Sequence, residues 1–406
     1  MGGEKQVLEG IKVLDFGSFV AGPAAATIMS DFGADVIKLE PPGIGDLYRY
    51  LPMVSQLPDC DLNYSWLVVS RNKRSLALDV KKPGARAPFE RLVKDCDVFL
   101  TNLPPEVQER LKIRYEDLAP LNPRMIFASL TGYGELGDEA SKPGYDATAW
   151  WARAGLMEHT RAEGAGRAVL PPAAGDNSTA MSMLSAILLA LYRRERTGKG
   201  GKVFTSLLAS GVWSNSVAIQ AALCGAKMYN DPGNPKVNVQ ELVNHFECRD
   251  GRAFIIAVMA NDRGWPTFAN CIGRPELASD PRFATAVARG ENMKELLRIL
   301  GDTFASRDWE EWREILLANR ITVSPVNRIE DVITDSQVLA NQMLADLDLP
   351  DGRRIKTVSS PIGMQGMQKV APKPAPGVGE HTEEILREAG CTDADIAALR
   401  AEGAIM

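Results

Sequence analysis

"IKVLDFGSFVAGPAAATIMSDFGADVIKLE", residues 11–40, decides the fold. Residues 11–17 are a short apolar and β-branched run, residues 21–33 have the composition of a helix stopped by Gly33, and residues 34–40 are a second strand-like run. Strand, helix and strand in so short a stretch make a β-α-β unit, which demands a parallel pair and a right-handed crossover. Working outward, strand-like runs recur at "LALDV" (76–80), "DVFLTN" (97–102), "MIFASLTGYG" (125–134) and "KVFTSLL" (202–208), separated by helical stretches. The first half therefore reads as α/β with a doubly wound parallel sheet, whose ligands sit beyond the carboxyl ends of the strands. A long helix is expected around 207–229, broken by the turn-rich "YNDPGNPKVN" (229–238). Beyond it, "AFIIAVM" (253–259), helical stretches near 293–306 and 308–319, and "ITVSPVN" (321–327) predict a smaller mixed domain. The tail "PKPAPGVGEHTEEILREAG" (372–390) reads as a proline-rich connector and an amphipathic helix with Thr382 as its N-cap.

The 406 residues are 45% hydrophobic and 24% charged, a composition that supports a packed core and argues against disorder. With 46 basic and 52 acidic side chains the net charge is -6, so no global positive field draws the chain to nucleic acid or an anionic membrane, and an anionic ligand needs a local basic cluster. Six scattered cysteines without a CxxC pair suit reduced packing thiols and give no zinc spacing. The longest apolar stretch, Ala180 to Tyr192, is too short to span a bilayer. "MGGEKQ" has neither an apolar signal region nor a Ser or Thr at position 6, and a cytoplasmic location is the expectation. Neither GxGxxG after the first strand nor GxxxxGK[ST] is present, which removes the main support for dinucleotide and P-loop readings.

With only His159, His245 and His381, histidine chemistry has few candidates, and no metal site is expected. "PPAAGDNSTAMSMLSAILLALYRRERTGKG" (171–200) instead places one acid, Asp176, at the opening of an apolar helix. Two readings stand: a helix cap, since Asp, Asn and Ser are preferred there, or a carboxylate facing a ligand across the small residues Ala173, Ala174 and Gly175. "SRNKRS" (70–75) supplies Arg71, Lys73 and Arg74, a solvated loop or an anion site. Arg110 follows the strand and turn "DVFLTNLPP", near enough to the sheet's carboxyl edge for a phosphate, or else pairs with Glu106 or Glu109. Trp150 and Trp151 are either core or the lining of an apolar acyl pocket.

In order and spacing, "LEGIKVLDFGSFVAGP", "DFGADVIKLEPPGIGD", "NKRSLALD", "LTNLPPEV", "ASLTGYG", "GDNSTAMSMLSAILLALYRRERTGKGGKV" and "GEHTEEIL" resemble the class III coenzyme A transferases. The resemblance implies a Rossmann-like large domain built from residues 1–225 and 331–406, a smaller α+β domain over 226–330, and an interlocked homodimer. It implies a reaction between an acyl-CoA thioester, as co-substrate, and a free carboxylic acid, with no tightly bound cofactor and no nucleic-acid or membrane partner. By matched position, Asp176 is the nucleophile, Val20 and Ala21 lie beside the thioester, and Asn102 and Arg110 belong to the CoA site. Lys73 and Arg74 match a segment near the nucleotide end, and Tyr145 and Asp146 an aromatic-acid pair close to the nucleophile. Pro41 stands where some members have arginine, and the small-domain glycine-rich loop of formyl-CoA transferase is absent.

What the resemblance implies mechanistically is an aspartyl-acyl anhydride followed by an aspartyl-CoA thioester, with the oxyanions received by amides of the Gly175 to Ser178 turn. The stretches 132–157 and 321–344 look most like the branch that moves CoA between an enoyl or aryl-enoyl acid and a 2-hydroxy acid in amino-acid fermentation, with dicarboxylate or carnitine-type exchange also open. Two relatives are the alternatives. An α-methylacyl-CoA racemase has histidine where Tyr145 stands, and a non-catalytic CoA-binding subunit lacks the aspartate.

Overall fold

A computed structural model of the chain describes residues 6–54, 57–161, 165–227, 242–258 and 262–406. It divides into two compact units, Met1–Ala226 with Gln342–Met406, and Lys227–Asn341. The chain thus returns to the larger unit at Gln342, against the expected 331.

The larger unit is built on six parallel strands: β1 (Lys12–Phe16), β2 (Asp35–Glu40), β3 (Arg74–Ala77), β4 (Val98–Thr101), β5 (Ile126–Thr131) and β6 (Gly201–Ser206). Their order is β3-β2-β1-β4-β5-β6, the doubly wound order that reverses between β1 and β4. Side-chain alternation sorts residues to two cores. Val13, Leu100, Ile126 and Ala128 face helix α1 (Ala21–Asp31) and the long helix Ala174–Thr197, while Leu14, Phe99 and Phe127 face the opposite layer. That opposite layer includes helices Thr382–Glu388 and Asp393–Ala401, whose Ile385, Leu386, Ile396 and Leu399 are buried with Phe89 and Phe99. This burial is why the C-terminal segment joins the N-terminal sheet. Helix α1 lies close on the sheet because Gly22 has no Cβ; one built there would stand 2.9 Å from Leu100 Cδ2.

Two local expectations are corrected. The N-cap of Thr382–Glu388 is His381, and the Thr382 hydroxyl instead accepts from the Ala77 amide at 3.0 Å, tying the tail to the end of β3. The long helix after β6 is two helices, Leu207–Ser214 and Ser216–Leu223, separated at Asn215, whose side chain turns to donate to the Ala154 carbonyl at 3.0 Å. A hairpin, β10 (Leu344–Asp348) with β11 (Arg354–Val358), went unread in the sequence. The second unit carries a small antiparallel sheet, β7 (Val243–Glu247), β8 (Ala253–Ala257) and β9 (Val323–Pro325), over a core of Trp265, Phe268, Phe304 and Trp312. The turn-rich stretch 229–238 lies outside the described residues. Among the described residues no helix is long and apolar enough to cross a membrane.

Charge is buried beneath the sheet's carboxyl edge. Lys73 Nζ lies 2.8 Å from Asp15 Oδ2, both side chains 0% exposed, and Lys38 Nζ lies 2.9 Å from Asp46 Oδ2, both 1% exposed. Removing one member of such a pair strands the other in low dielectric, whereas a surface pair is nearly neutral. Lys73→Met is expected to lower the unfolding free energy by about 3–5 kcal/mol in urea titrations. Lys12→Met, which breaks the exposed pair with Asp95, is expected to change it by less than about 1 kcal/mol.

Candidate active site

Beyond β1 the chain turns through Gly17, Ser18 and Phe19, and beyond β4 through Asn102 and Leu103. These two turns flank the point where strand order reverses, and Asn102 clasps them together. Its Oδ1 accepts from the Ser18 amide and its Nδ2 donates to the Ser18 carbonyl, both at 2.7 Å. Asp46 braces the same turn: its Oδ1 accepts from the Ser18 hydroxyl (2.9 Å), the Phe19 amide (3.2 Å) and the Tyr48 amide (3.0 Å). Lys38, which also donates to the Gly17 carbonyl, neutralises Asp46 from below. Burial alone would raise the Asp46 carboxyl, but Lys38 and these donors hold it below its usual range. So braced, Phe19 adopts φ 61°, a left-handed conformation that bulky residues avoid.

A cavity of about 300 Å³ opens here, lined by residues of both turns and the end of β5, together with the loop Ala140–Tyr145, Leu207 and Asp176. Asp176 comes from the first turn of the helix Ala174–Thr197, but it is not the cap. The N-cap is Ala173, whose methyl group accepts no hydrogen bond, and Asp146 is packed against this terminus from another element. Asp146 opens a π-helical segment, Asp146–Arg153, that packs on the helix terminus so tightly that a Cβ on Gly175 would stand 2.8 Å from both Asp146 Cβ and Trp150 Cγ. Its Oδ1 accepts from the Ala147 amide at 2.7 Å, and its buried Oδ2 has no hydrogen-bond partner. Burial raises the Asp146 carboxyl, while the amides of Ala147, Gly175, Asp176 and Ala173 draw it back down.

Asp176 has no such help. Among the described residues its carboxylate makes no hydrogen bond or ion pair, and burial, with a smaller contribution from the Asp146 charge, pushes it up to about 7. The nearby Tyr48 phenol, buried and close to Asp176, Asp146 and Asp46, is pushed up to about 12 and stays protonated. A carboxylate left uncompensated in a cleft and held near neutrality has the environment of a reacting group rather than of a structural one.

Of the residues expected from sequence, Ala21, Asn102, Tyr145 and Asp176 line the cavity, with Asp146 behind Asp176 and Val20 buried at the start of α1. Arg110 is exposed on the helix Pro105–Leu111, which begins at the cavity wall. Glu109 pairs with Arg114 instead, so among the described residues the Arg110 guanidinium has no ion pair. Lys73 and Arg74 are not brought to the cavity. Lys73 is sealed against Asp15, and Arg74 starts β3, at the opposite edge of the sheet, held by Asp35, Glu384 and Glu388. Arg71 is likewise paired with Asp31 at 2.7 Å, so all three bases of "SRNKRS" have carboxylate partners. Trp150 and Trp151 stack on each other at 6.2 Å and do not line the cavity. Of the expected amide donors of the helix turn, that of Asn177 is engaged, donating to the Ala173 carbonyl at 2.9 Å, while those of Gly175 and Asp176 act on the nearby Asp146 carboxyl by lowering it. Sequence reading missed Asp46, Phe19 and Tyr48. The acid in "GIGDLYRY" was the available signal, because a lone Asp after glycines marks a turn whose carboxylate has local amides to bind.

A cleft at the switch point of a doubly wound sheet, with a near-neutral carboxylate in its wall, defines a ligand-binding α/β enzyme. More particularly, the chain belongs to CoA-transferase family III, which it matches over residues 8–382, and is a transferase that uses a CoA thioester as co-substrate. It is 29% identical to the (R)-2-hydroxy-4-methylpentanoate CoA-transferase of Clostridioides difficile, over 95% of this chain and 96% of that protein. It is 32% identical to the succinyl-CoA:glutarate CoA-transferase of Mus musculus, over 94% of this chain and 86% of that one. The crystal structure of a CAIB/BAIF family protein from Brucella suis superposes with a TM-score of 0.81 at 28% identity, covering 95% of this chain and all of the other.

The raised Asp176 carboxyl has a consequence for stability. Its pKa is 3.8 in the unfolded chain and about 7 in the folded one, so the folded chain holds the proton more tightly. That advantage is complete below pH 3.8 and is lost as the pH rises through 7. Asp176→Asn removes the buried charge, so relative to wild type it is expected to be stabilised by on the order of 2 kcal/mol at pH 8 and by almost nothing near pH 4, read from urea midpoints.

Proposed function

We propose that the chain transfers CoA from an enoyl-CoA or aryl-enoyl-CoA to a free 2-hydroxy acid through covalent loading of Asp176. One observation carries this reading: Asp176 is a cavity-lining carboxylate with no cation and no hydrogen bond among the described residues to satisfy it. An Asp176 oxygen attacks the thioester carbonyl; the carbon–sulfur bond breaks, leaving an aspartyl-acyl anhydride and a CoA thiolate. The thiolate then attacks the aspartyl carbonyl and expels the donor acid as its carboxylate, leaving Asp176 as a CoA thioester. An acceptor carboxylate attacks that thioester, re-forms an anhydride, and the thiolate takes the acceptor's acyl carbon, freeing Asp176. Every step exchanges one activated acyl bond for another and consumes no other reactant.

Desolvation favours the carboxylate as a nucleophile and keeps water from the anhydride. Asn102, Ala21 and the Val20 backbone flank the thioester in this reading, Tyr145 and Asp146 stand at the nucleophile, and the free guanidinium of Arg110 takes a phosphate of CoA. The 2-hydroxy acid acceptor is supported by similarity, along almost the whole chain, to a relative named for 2-hydroxy-4-methylpentanoate. Intact-mass spectra taken during turnover are expected to show Asp176 carrying acyl and then CoA, with the adduct and all transfer lost in Asp176→Ala. Transfer retained in that variant overturns the covalent route.

The working unit in this proposal is an interlocked homodimer. Tyr192, Phe204, Trp213, Val217 and Leu223, on β6 and the helices beside it, stand 62% to 84% exposed, and in this reading a second copy covers them. Light scattering is expected to give twice the 44.2 kDa chain mass; a monomer at working concentration sinks this part of the reading.

A further inference from the structure

The cavity wall next to Asp176 is aromatic. Phe19 packs against Tyr145 at 5.8 Å between ring centroids and 70°, edge to face, and against Tyr48 at 6.1 Å and 57°. These are the spacings at which rings attract one another and hold each other in place. The arrangement is imposed rather than incidental, since one carboxylate oxygen, Asp46 Oδ1, receives both the Phe19 and the Tyr48 amides and keeps Phe19 in its left-handed conformation. A bulky side chain in that conformation is the kind of local strain that persists where the ring's position matters. Leu103, Pro104, Leu130, Pro143 and Leu207 extend the apolar lining.

The charges of this cavity are as telling as its rings. Lys142 is the one cation among its lining residues, and it is committed: its Nζ is 2.7 Å from Glu139 and 5.1 Å from the centre of the Tyr133 ring. The charge felt by Asp176 is acidic, that of Asp146, and the Tyr48 phenol, which feels Asp176 in turn, stays protonated. A second carboxylate on an acyl chain entering this space loses its water, feels the Asp146 charge from behind Asp176, and finds no free cation among the lining residues to pair with.

We infer that Phe19, held between Tyr48 and Tyr145, is a specificity-determining residue that admits apolar aryl or branched acyl groups and, with the acidic surround, rejects acyl groups bearing a second carboxylate. The inference rests on the covalent-transfer reading and narrows its substrate class.

It is tested without knowing the natural donor by exchange between an acyl-CoA and its own labelled free acid, with 3-phenylpropanoyl-CoA and succinyl-CoA as the two probes. The wild-type enzyme is expected to favour the phenylpropanoyl pair by more than about 30-fold in kcat/KM, and Phe19→Ala to reduce that ratio by about tenfold or more, the scale on which an apolar pocket discriminates. Phe19→Leu, which keeps an apolar side chain of moderate size, is expected to lower the ratio less than Phe19→Ala does. Equal exchange of both pairs by wild type, or a ratio unmoved in both variants, overturns the inference and leaves the transferase reading standing. If neither pair exchanges and neither loads Asp176, the transferase reading fails and takes the inference with it.

Discussion

Asp46, a carboxylate buried against Lys38, sets the geometry on which the site depends. One of its oxygens accepts three donors from two separate segments, and Lys38 balances its charge while also holding the carbonyl of Gly17. A buried ion pair of this kind adds little net stability, because desolvation offsets much of the attraction. Its value lies in direction. An apolar residue at 46 would pack, but it would not order the turn after β1, keep Phe19 at positive φ, or orient Tyr48 beside it.

The same logic, inverted, applies to Asp176. Helix N-termini present amides that any nearby carboxylate would satisfy, and Asp176 occupies the first turn where it would be expected to do so. Asp146, on a neighbouring element packed against that terminus, is lowered by those amides and adds its own negative charge to the surroundings. The nucleophile candidate is thereby left with an unmet demand. Gly175 makes this close packing possible, because any larger residue would push the π-helical segment off the terminus. Stability is given up at this point of the fold, because a buried carboxylate without a partner costs free energy whenever it is ionised.

Much of the fold was legible because the patterns that specify it are local. Three short runs and their spacing were enough for the β-α-β unit, and the pairs Val13 and Leu14, or Phe99 and Leu100, already announced a sheet buried on both faces. The exposed hairpin Leu344–Val358 was harder to read, since its alternation is interrupted by charges that pair only across the strands, as Lys356 does with Asp346. The pairing of the basic cluster was hidden for a related reason. A run of Arg and Lys looks like an anion site until its partners are known, and Asp15, Asp31 and Asp35 lie far away in sequence. Trp150 and Trp151 were equally ambiguous, because an aromatic pair on a helical segment has the same signature whether it faces core or cavity.

From the order of amino acids alone came the parallel α/β architecture, the family resemblance, and the candidacy of Asp176, each resting on periodicity, turn chemistry or a run of residues read in place. Only the folded chain decided that Asp146 packs on the helix terminus while Asp176 stands without a partner among the described residues, that Lys73 and Arg74 are ion-paired, and that Phe19 packs between Tyr48 and Tyr145. The physical reason is that hydrogen-bond satisfaction and burial belong to pairs of groups, and the partners here are brought together by the crossover connections of the sheet, across separations along the chain that no local pattern spans.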